Sequence, residues 1–124
     1  MKETTVTGAS AEQMVAEYMR RHGCIIFKMN YRSRYGEIDI IAETPTNILF
    51  VEVKMRREGN IVSPAEAVDY GKRLRILQTA KDFLSKTHLE ELQPRFDVAE
   101  VFYETDDNNE KHYKLHYIKN AFGE

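Results

Sequence analysis

Apolar positions recur at helical spacing between Ser10 and His22, where Met14, Val15, Tyr18 and Met19 form a stripe. Gly23 ends the pattern, and Ser10 with Gln13 three residues on resembles a capping box. The apolar run from Cys24 to Tyr31 reads as a first strand. From Glu37 to Glu43 the residues alternate, with Glu37, Asp39 and Ile41 on one face and Ile38, Ile40 and Ala42 on the other. Thr44-Pro45-Thr46-Asn47 is turn chemistry. Ile48 to Met55 then alternates again, with Phe50, Glu52 and Lys54 on one face and Val51, Val53 and Met55 on the other. Two such runs around a short turn predict a β-hairpin.

Arg56 to Ser63 is a polar, glycine-containing connection, and Ser63-Pro64 reads as an N-cap followed by a first-turn proline. A helical pattern runs from there to about Lys86, with a break expected near Tyr70-Gly71. Leu74, Leu77, Ala80 and Leu84 form its stripe, with Ile76 and Phe83 beside it. Thr87 to Pro94 fits either a frayed helix end or a loop. Phe96 to Glu104 and Tyr113 to Ile118 are two further strands, joined by the acidic loop Asp106 to Lys111. His112 and His116 alternate with Tyr113, Leu115 and Tyr117, which puts them on the polar face of a strand and not on a helix as a metal pair. The order α-β-β-β-α-β-β predicts an α/β fold, a mixed sheet with helices packed against it.

Composition narrows the picture. A chain of 124 residues, 42% hydrophobic, is one domain over 1–124 with enough apolar mass for a core and a flexible first eight residues. The single cysteine, Cys24, excludes an intrachain disulfide and a multi-cysteine zinc site, and beside Ile25 and Ile26 it reads as a reduced, buried thiol. The sequence has neither the apolar core of a signal peptide nor a run of membrane-spanning length, so a cytoplasmic location and no membrane partner are expected. Eighteen Lys+Arg against 20 Asp+Glu exclude an overwhelmingly basic domain. The charges are segregated, however. Arg20, Arg21, Lys28, Arg32 and Arg34 fall in an acid-free stretch, as do Lys72, Arg73, Arg75 and Lys81, whereas Asp97 to Glu110 is acidic without Lys or Arg.

The candidate chemistry lies on the hairpin. Asp39 sits in an Ile-rich run, and Glu52 and Lys54 sit in a Phe-Val-Val run. Charges in such strands are costly unless paired, hydrated or bound. With Pro45-Thr46 as the tip, Asp39 and Glu52 are equidistant from it and face each other. Two opposed carboxylates repel, and a hard divalent cation such as Mg2+ (or Mn2+) relieves that repulsion. Phosphodiester hydrolysis uses such a set: carboxylates for the metal, the carbonyl of Val53 as a further ligand, and Lys54 for the attacking water or transition-state charge.

Gly36-Glu37-Ile38-Asp39-Ile40-Ile41 followed by Phe50-Val51-Glu52-Val53-Lys54 resembles the PD-(D/E)XK nuclease superfamily. More closely, the chain resembles the bacterial YraN family, an uncharacterised group with a Holliday-junction-resolvase-like, restriction-endonuclease-type fold. The matching residues include Gly8, Glu12, Asn30-Tyr31-Arg32, Arg56, Glu66-Ala67-Val68, Lys72 and Arg95-Phe96-Asp97-Val98. Ala11 stands where that family often has a second glycine. The resemblance implies a restriction-endonuclease-like core, with Asp39, Glu52 and Lys54 as the metal and catalytic set and Glu12 as an additional acid from the first helix. Read from the residues alone, Glu12 is a helix-dipole residue. Glu37 is either a supporting acid or solvated. Lys72 is either part of a solvated helix face or a phosphate contact.

The expected activity is metal-dependent endonuclease cleavage of DNA, branched or structured DNA included. Arg32, Arg34, Arg56, Arg57 and Lys72 would guide the phosphate backbone, and Tyr35 beside Arg34 offers a stacking surface or an ordinary basic loop. A homodimer would suit a two-fold substrate. Two other classes stay open: a non-catalytic nucleic-acid-binding module, and an interaction protein using the acidic late region.

Overall fold

The computed structural model describes residues 8–57, 69–89 and 91–123. Ser63-Pro64 and Glu66-Ala67-Val68 lie outside them, as do most of the polar connection before Ser63 and most of the N-terminal leader. Each alternating run forms a strand longer than its pattern: β1 (Ile25–Ser33), β2 (Gly36–Glu43), β3 (Asn47–Arg57), β4 (Gln93–Thr105) and β5 (Lys111–Phe122). The two helical patterns form α1 (Gly8–Arg21) and α2 (Tyr70–Ser85). The chain is a single α/β domain in the expected order α-β-β-β-α-β-β.

One five-stranded sheet carries the strands in the order β1-β2-β3-β4-β5. Adjacent strands are antiparallel except β3 and β4, which are parallel. Tight turns can join antiparallel neighbours, whereas a parallel pair needs a crossover, and α2 lies in that connection. At the β2–β3 turn the Thr44 side-chain oxygen accepts from Asn47 N at 2.9 Å, and Thr44 N donates to Asn47 O at 2.9 Å. The expected turn chemistry thereby sets the hairpin register.

A helix on each face makes two apolar layers. Ile41, Ile48, Phe50, Phe96 and Val98 pack with Ile76, Ala80 and Phe83 of α2. Ile40, Ala42, Leu49, Val51, Ala99 and Val101 pack with Ala11, Val15, Ala16 and Met19 of α1. Ile38 departs from the expected alternation and joins the α2 layer with Ile41. The paired β2–β3 residues run only from Ile40 to Glu43, whereas β2 stays paired with β1 down to Gly36, so Ile38 is held by β1 alone.

Both helices present faces rotated from the ones their apolar residues suggest. On α1 the helix starts at Gly8, so Ser10 stands inside the first turn and not at a cap. Met14 is exposed, and the buried stripe of Ala11, Val15, Ala16 and Met19 lies towards the Glu12 side. On α2 the buried residues are Ile76, Thr79, Ala80 and Phe83, while Leu74 is exposed. Thr79 can be buried because its hydroxyl is satisfied, donating to Arg75 O at 2.8 Å and meeting Ser33 Oγ at 3.1 Å. The break expected near Tyr70-Gly71 is the start of α2, capped by Asp69, whose carboxylate accepts from Lys72 N at 2.8 Å. The ambiguous stretch after Lys86 separates α2 from β4, which begins at Gln93.

Candidate metal and phosphodiester site

The hairpin register places the two central acids. Ile40 pairs with Val51 and Ile41 with Phe50, and Asp39 and Glu52 are the next residues beyond the last paired position. Here the backbone ladder gives way to a side chain: Asp39 Oδ2 accepts from Val53 N at 2.8 Å. An extended residue sends its N–H and C=O towards the same neighbouring strand. The Val53 carbonyl therefore lies on the Asp39 side of β3, where a carbonyl ligand was expected.

Glu52 points from β3 towards α2 and is buried. Lys72 Nζ, from the first turn of α2, lies 2.5 Å from Glu52 Oε1, and Lys54 Nζ lies 3.6 Å from the same oxygen. Lys72 thus belongs to the centre of the site and not to a solvated face. It is the i−4 neighbour of Ile76, so the buried stripe of α2 runs on into it. Arg75 lies on the same side of the helix. A cavity of about 150 Å³ is lined by Gly36, Glu37, Asp39 and Glu52 from the sheet and by Lys72, Arg75 and Ile76 from α2. Gly36 lets the sheet approach the helix this closely. Its φ of +151° is one that side chains rarely adopt, and a Cβ there would sit 3.4 Å from Arg75 Cβ.

Glu12 reaches the site from α1, with its carboxyl within hydrogen-bonding reach of Asp39. Asn30 joins the acids on the other side. With its amide nitrogen facing them, it donates to Glu37 Oε1 at 2.9 Å and to Glu12 Oε1 at 3.1 Å. Asn30 occupies a left-handed conformation within β1, at φ 53°, which asparagine tolerates better than most residues. Asn30 and Gly36 enter the sequence reading only as parts of the blocks that carry the family resemblance, and no pattern gives Arg75 a place at the site, because each depends on β1, β2 and α2 converging.

The electrostatics follow from crowding. Asp39 is pushed up to about 6, by burial first and then by the charge and hydrogen bond of Glu12, against the opposing Val53 N–H. Glu52 is also raised, by burial and by Asp39, with Lys72 and Lys54 acting the other way. Lys54 is lowered, by burial and then by the hydrogen bond and charge of Lys72. For Lys72 burial favours the neutral amine, but hydrogen bonds to Glu52 and Lys54 and the charges of Glu52 and Asp39 outweigh it, so its pKa is raised.

The remaining candidates surround this centre unevenly. Glu37 lines the cavity, and its carboxylate lies 3.7 Å from the Arg32 guanidinium. Arg34 is exposed and donates to Tyr35 Oη at 2.7 Å. Arg57 is exposed at the end of β3, whereas Arg56 turns inward to the buried Glu100 at 3.9 Å. His112 and His116 are on β5, as expected of a strand. His112 meets Asp106 at 2.7 Å, where Asp106 also accepts the backbone N–H groups of Asn108 and Glu110, so that group closes a turn. Cys24 is a free, half-buried thiol whose pKa is raised by burial. Among the described residues no helix is long and apolar enough to cross a membrane.

Comparison with known proteins places the chain among relatives. The model of the uncharacterised protein family UPF0102 matches residues 11–101. A UPF0102 protein of Alkaliphilus metalliredigens is 41% identical over 115 residues, covering 93% of this chain and 96% of the relative. One from Caldanaerobacter subterraneus is 36% identical, covering 93% of both chains. Among solved structures, Pyrococcus furiosus SfsA in complex with Ca2+ aligns at 15% identity and a TM-score of 0.36, over 90% of this chain and 62% of that one. That likeness is too slight to argue from.

Proposed function

The chain belongs to the uncharacterised protein family UPF0102, the YraN family, and we propose that it is a divalent-metal-dependent endonuclease hydrolysing phosphodiester bonds in DNA. The observation that carries this reading is the cavity that half-buried Asp39 and buried Glu52 share with Lys72, with the Lys54 amine against the same Glu52 oxygen. The donor set fits a hard cation. Asp39 keeps one carboxylate oxygen beyond the Val53 hydrogen bond, and the two lysine amines both lie against a single oxygen of Glu52. Asp39 raises the pKa of Glu52, and Glu12 raises that of Asp39, so negative charge in the cluster is incompletely compensated.

Asp39, Glu52 and the Val53 carbonyl would hold Mg2+ or Mn2+, with Glu12 supporting Asp39. A cation there supplies charge to polarise a phosphate oxygen and acidify a bound water. The chain's own residues do the rest. Lys54 holds its proton less tightly than an ordinary lysine, which suits a group that exchanges protons with water or a leaving oxygen. Lys72 and Arg75 bring positive charge to the cavity wall where a phosphate would enter. Arg32, Arg34, Tyr35 and Arg57 extend contacts outward along a nucleic-acid strand, with Arg56 behind them.

The Lys72–Glu52 ion pair also favours a second reading, a nucleic-acid-binding module that does not cut, because the pair compensates Glu52 without a cation. One experiment separates them. Wild type, Asp39→Asn, Glu52→Gln and Lys54→Met are incubated with linear, single-stranded and four-way-junction DNA, with Mg2+ or a chelator. Cleavage is expected only from wild type with the metal, and each variant should lose at least about 100-fold. Binding without metal-dependent product from wild type would favour the module, and equal cleavage by wild type and Asp39→Asn would remove this site from the chemistry.

A further inference from the structure

The cation site is held in part by the chain's own charges. Glu52 Oε1 faces two ammonium groups, Lys72 Nζ at 2.5 Å and Lys54 Nζ at 3.6 Å. Glu52 is thus compensated by amines before any cation binds. A divalent cation added beside that oxygen brings surplus positive charge close to both ammonium groups in a largely buried cluster. Such a surplus is costly unless an anion enters with the cation or an amine leaves.

The two lysines differ in their freedom to leave. Lys54 is on β3, two residues from Glu52 on the same strand face, so its side chain is tied to the carboxylate it touches. Lys72 comes from a separate element. Its backbone is anchored by the Asp69 cap, while its side chain forms part of the cavity wall. It can release Glu52 by rotamer change alone, with β3 unmoved. Its amine, next to Arg75 on the same wall, then faces the space a phosphate would fill.

Resting on the nuclease reading, we propose that Lys72 gates the cation site: it holds Glu52 while no cation is bound and passes to a phosphodiester oxygen when substrate arrives. Cation and nucleic-acid phosphate then bind cooperatively, each relieving the charge that the other introduces. Cation alone must displace Lys72 from Glu52 with no phosphate to receive it. Cation with a phosphodiester exchanges one partner of Lys72 for another.

The test is calorimetric. Mn2+ is titrated into wild type, Lys72→Met, Lys72→Arg and Asp39→Asn, each with and without a dithymidine phosphodiester. Circular dichroism confirms folding, and Lys72→Gln provides the same comparison should the Met variant not fold. Without dinucleotide, Lys72→Met should bind Mn2+ about tenfold more tightly than wild type. Dinucleotide should tighten Mn2+ binding to wild type and Lys72→Arg by a similar factor, and leave the Met variant nearly unchanged. Equal or weaker Mn2+ binding by folded Lys72→Met overturns the gate while wild-type binding that Asp39→Asn abolishes leaves the nuclease reading standing. If wild type binds no Mn2+, or Asp39→Asn binds it equally well, the nuclease reading falls and the gate falls with it.

Discussion

Asp39 pays for its place in the fold. Its carboxyl is raised from 3.8 to about 6, with burial as the first cause and Glu12 as the next. Between those values the folded chain keeps a proton that the unfolded chain has released. Stability therefore falls as pH rises through that window and is flat above it. The total is on the order of 2 to 3 kcal/mol. Asp39→Asn removes the charge while an amide oxygen can still accept from Val53 N. The variant should therefore be more stable than the cation-free wild type by about 2 kcal/mol at neutral pH, with its pH slope between about 4 and 6 largely lost. Urea unfolding across that range measures it, and an unchanged slope would mean that Asp39 is not the group responsible. The same substitution should abolish cleavage, so stability and activity are expected to move in opposite directions.

At the scale of elements, charged residues extend apolar stripes into the site. Ile76, Thr79, Ala80 and Phe83 face the sheet, and the residue one turn earlier is Lys72. On α1, Glu12 stands beside Ala11 and one turn before Ala16, both buried. Away from the site, β4 and β5 are tied by a fully buried acid. Asp97 receives both Arg95 Nε and Nη2 at 2.9 Å, Tyr117 Oη at 2.6 Å and Asn120 N at 2.8 Å. Every donor would lose its partner in Asp97→Ala, which should cost about 3–5 kcal/mol. Thermal unfolding followed by circular dichroism checks this, and a loss below about 1 kcal/mol would show that the network is not structural. The Arg95-Phe96-Asp97-Val98 block is thus accounted for by architecture, whereas the Gly36 to Asp39 block serves the cavity.

Over the whole molecule, charge segregation along the chain becomes segregation across the sheet. Arg32 lies on edge strand β1 and Arg34 just beyond it, while Lys72 and Arg75 lie on α2, which packs on β1 and β2. The acidic turn after β4 lies by the opposite edge, between β4 and β5. Nucleic acid is therefore expected on the β1–α2 side. Arg32→Ala and Arg34→Ala should each lower the slope of log affinity against log salt by about 0.9 per lost phosphate contact, whereas Asp107→Ala should leave it unchanged. Fluorescence anisotropy over a salt series reads both, and a response confined to Asp107→Ala would move the binding face to the other edge.

The strands and the hairpin register were legible in the sequence, because period-two alternation and turn chemistry are local rules. The expected tip at Pro45-Thr46 gives the register found between Ile40–Glu43 and Ile48–Val51. Helix faces were less legible. Met14 and Leu74 look like core residues, yet each is exposed, because the depth of a helical position depends on which way the sheet turns the helix. Lys72, Arg75 and Asn30 meet the acids only once α2 crosses back over β2 and β1 bends through its left-handed asparagine. Local spacing determined which carboxylates follow the last paired residues of the hairpin; tertiary packing decided which cations reach them, since residues far apart in the chain share a cavity only after both helices dock.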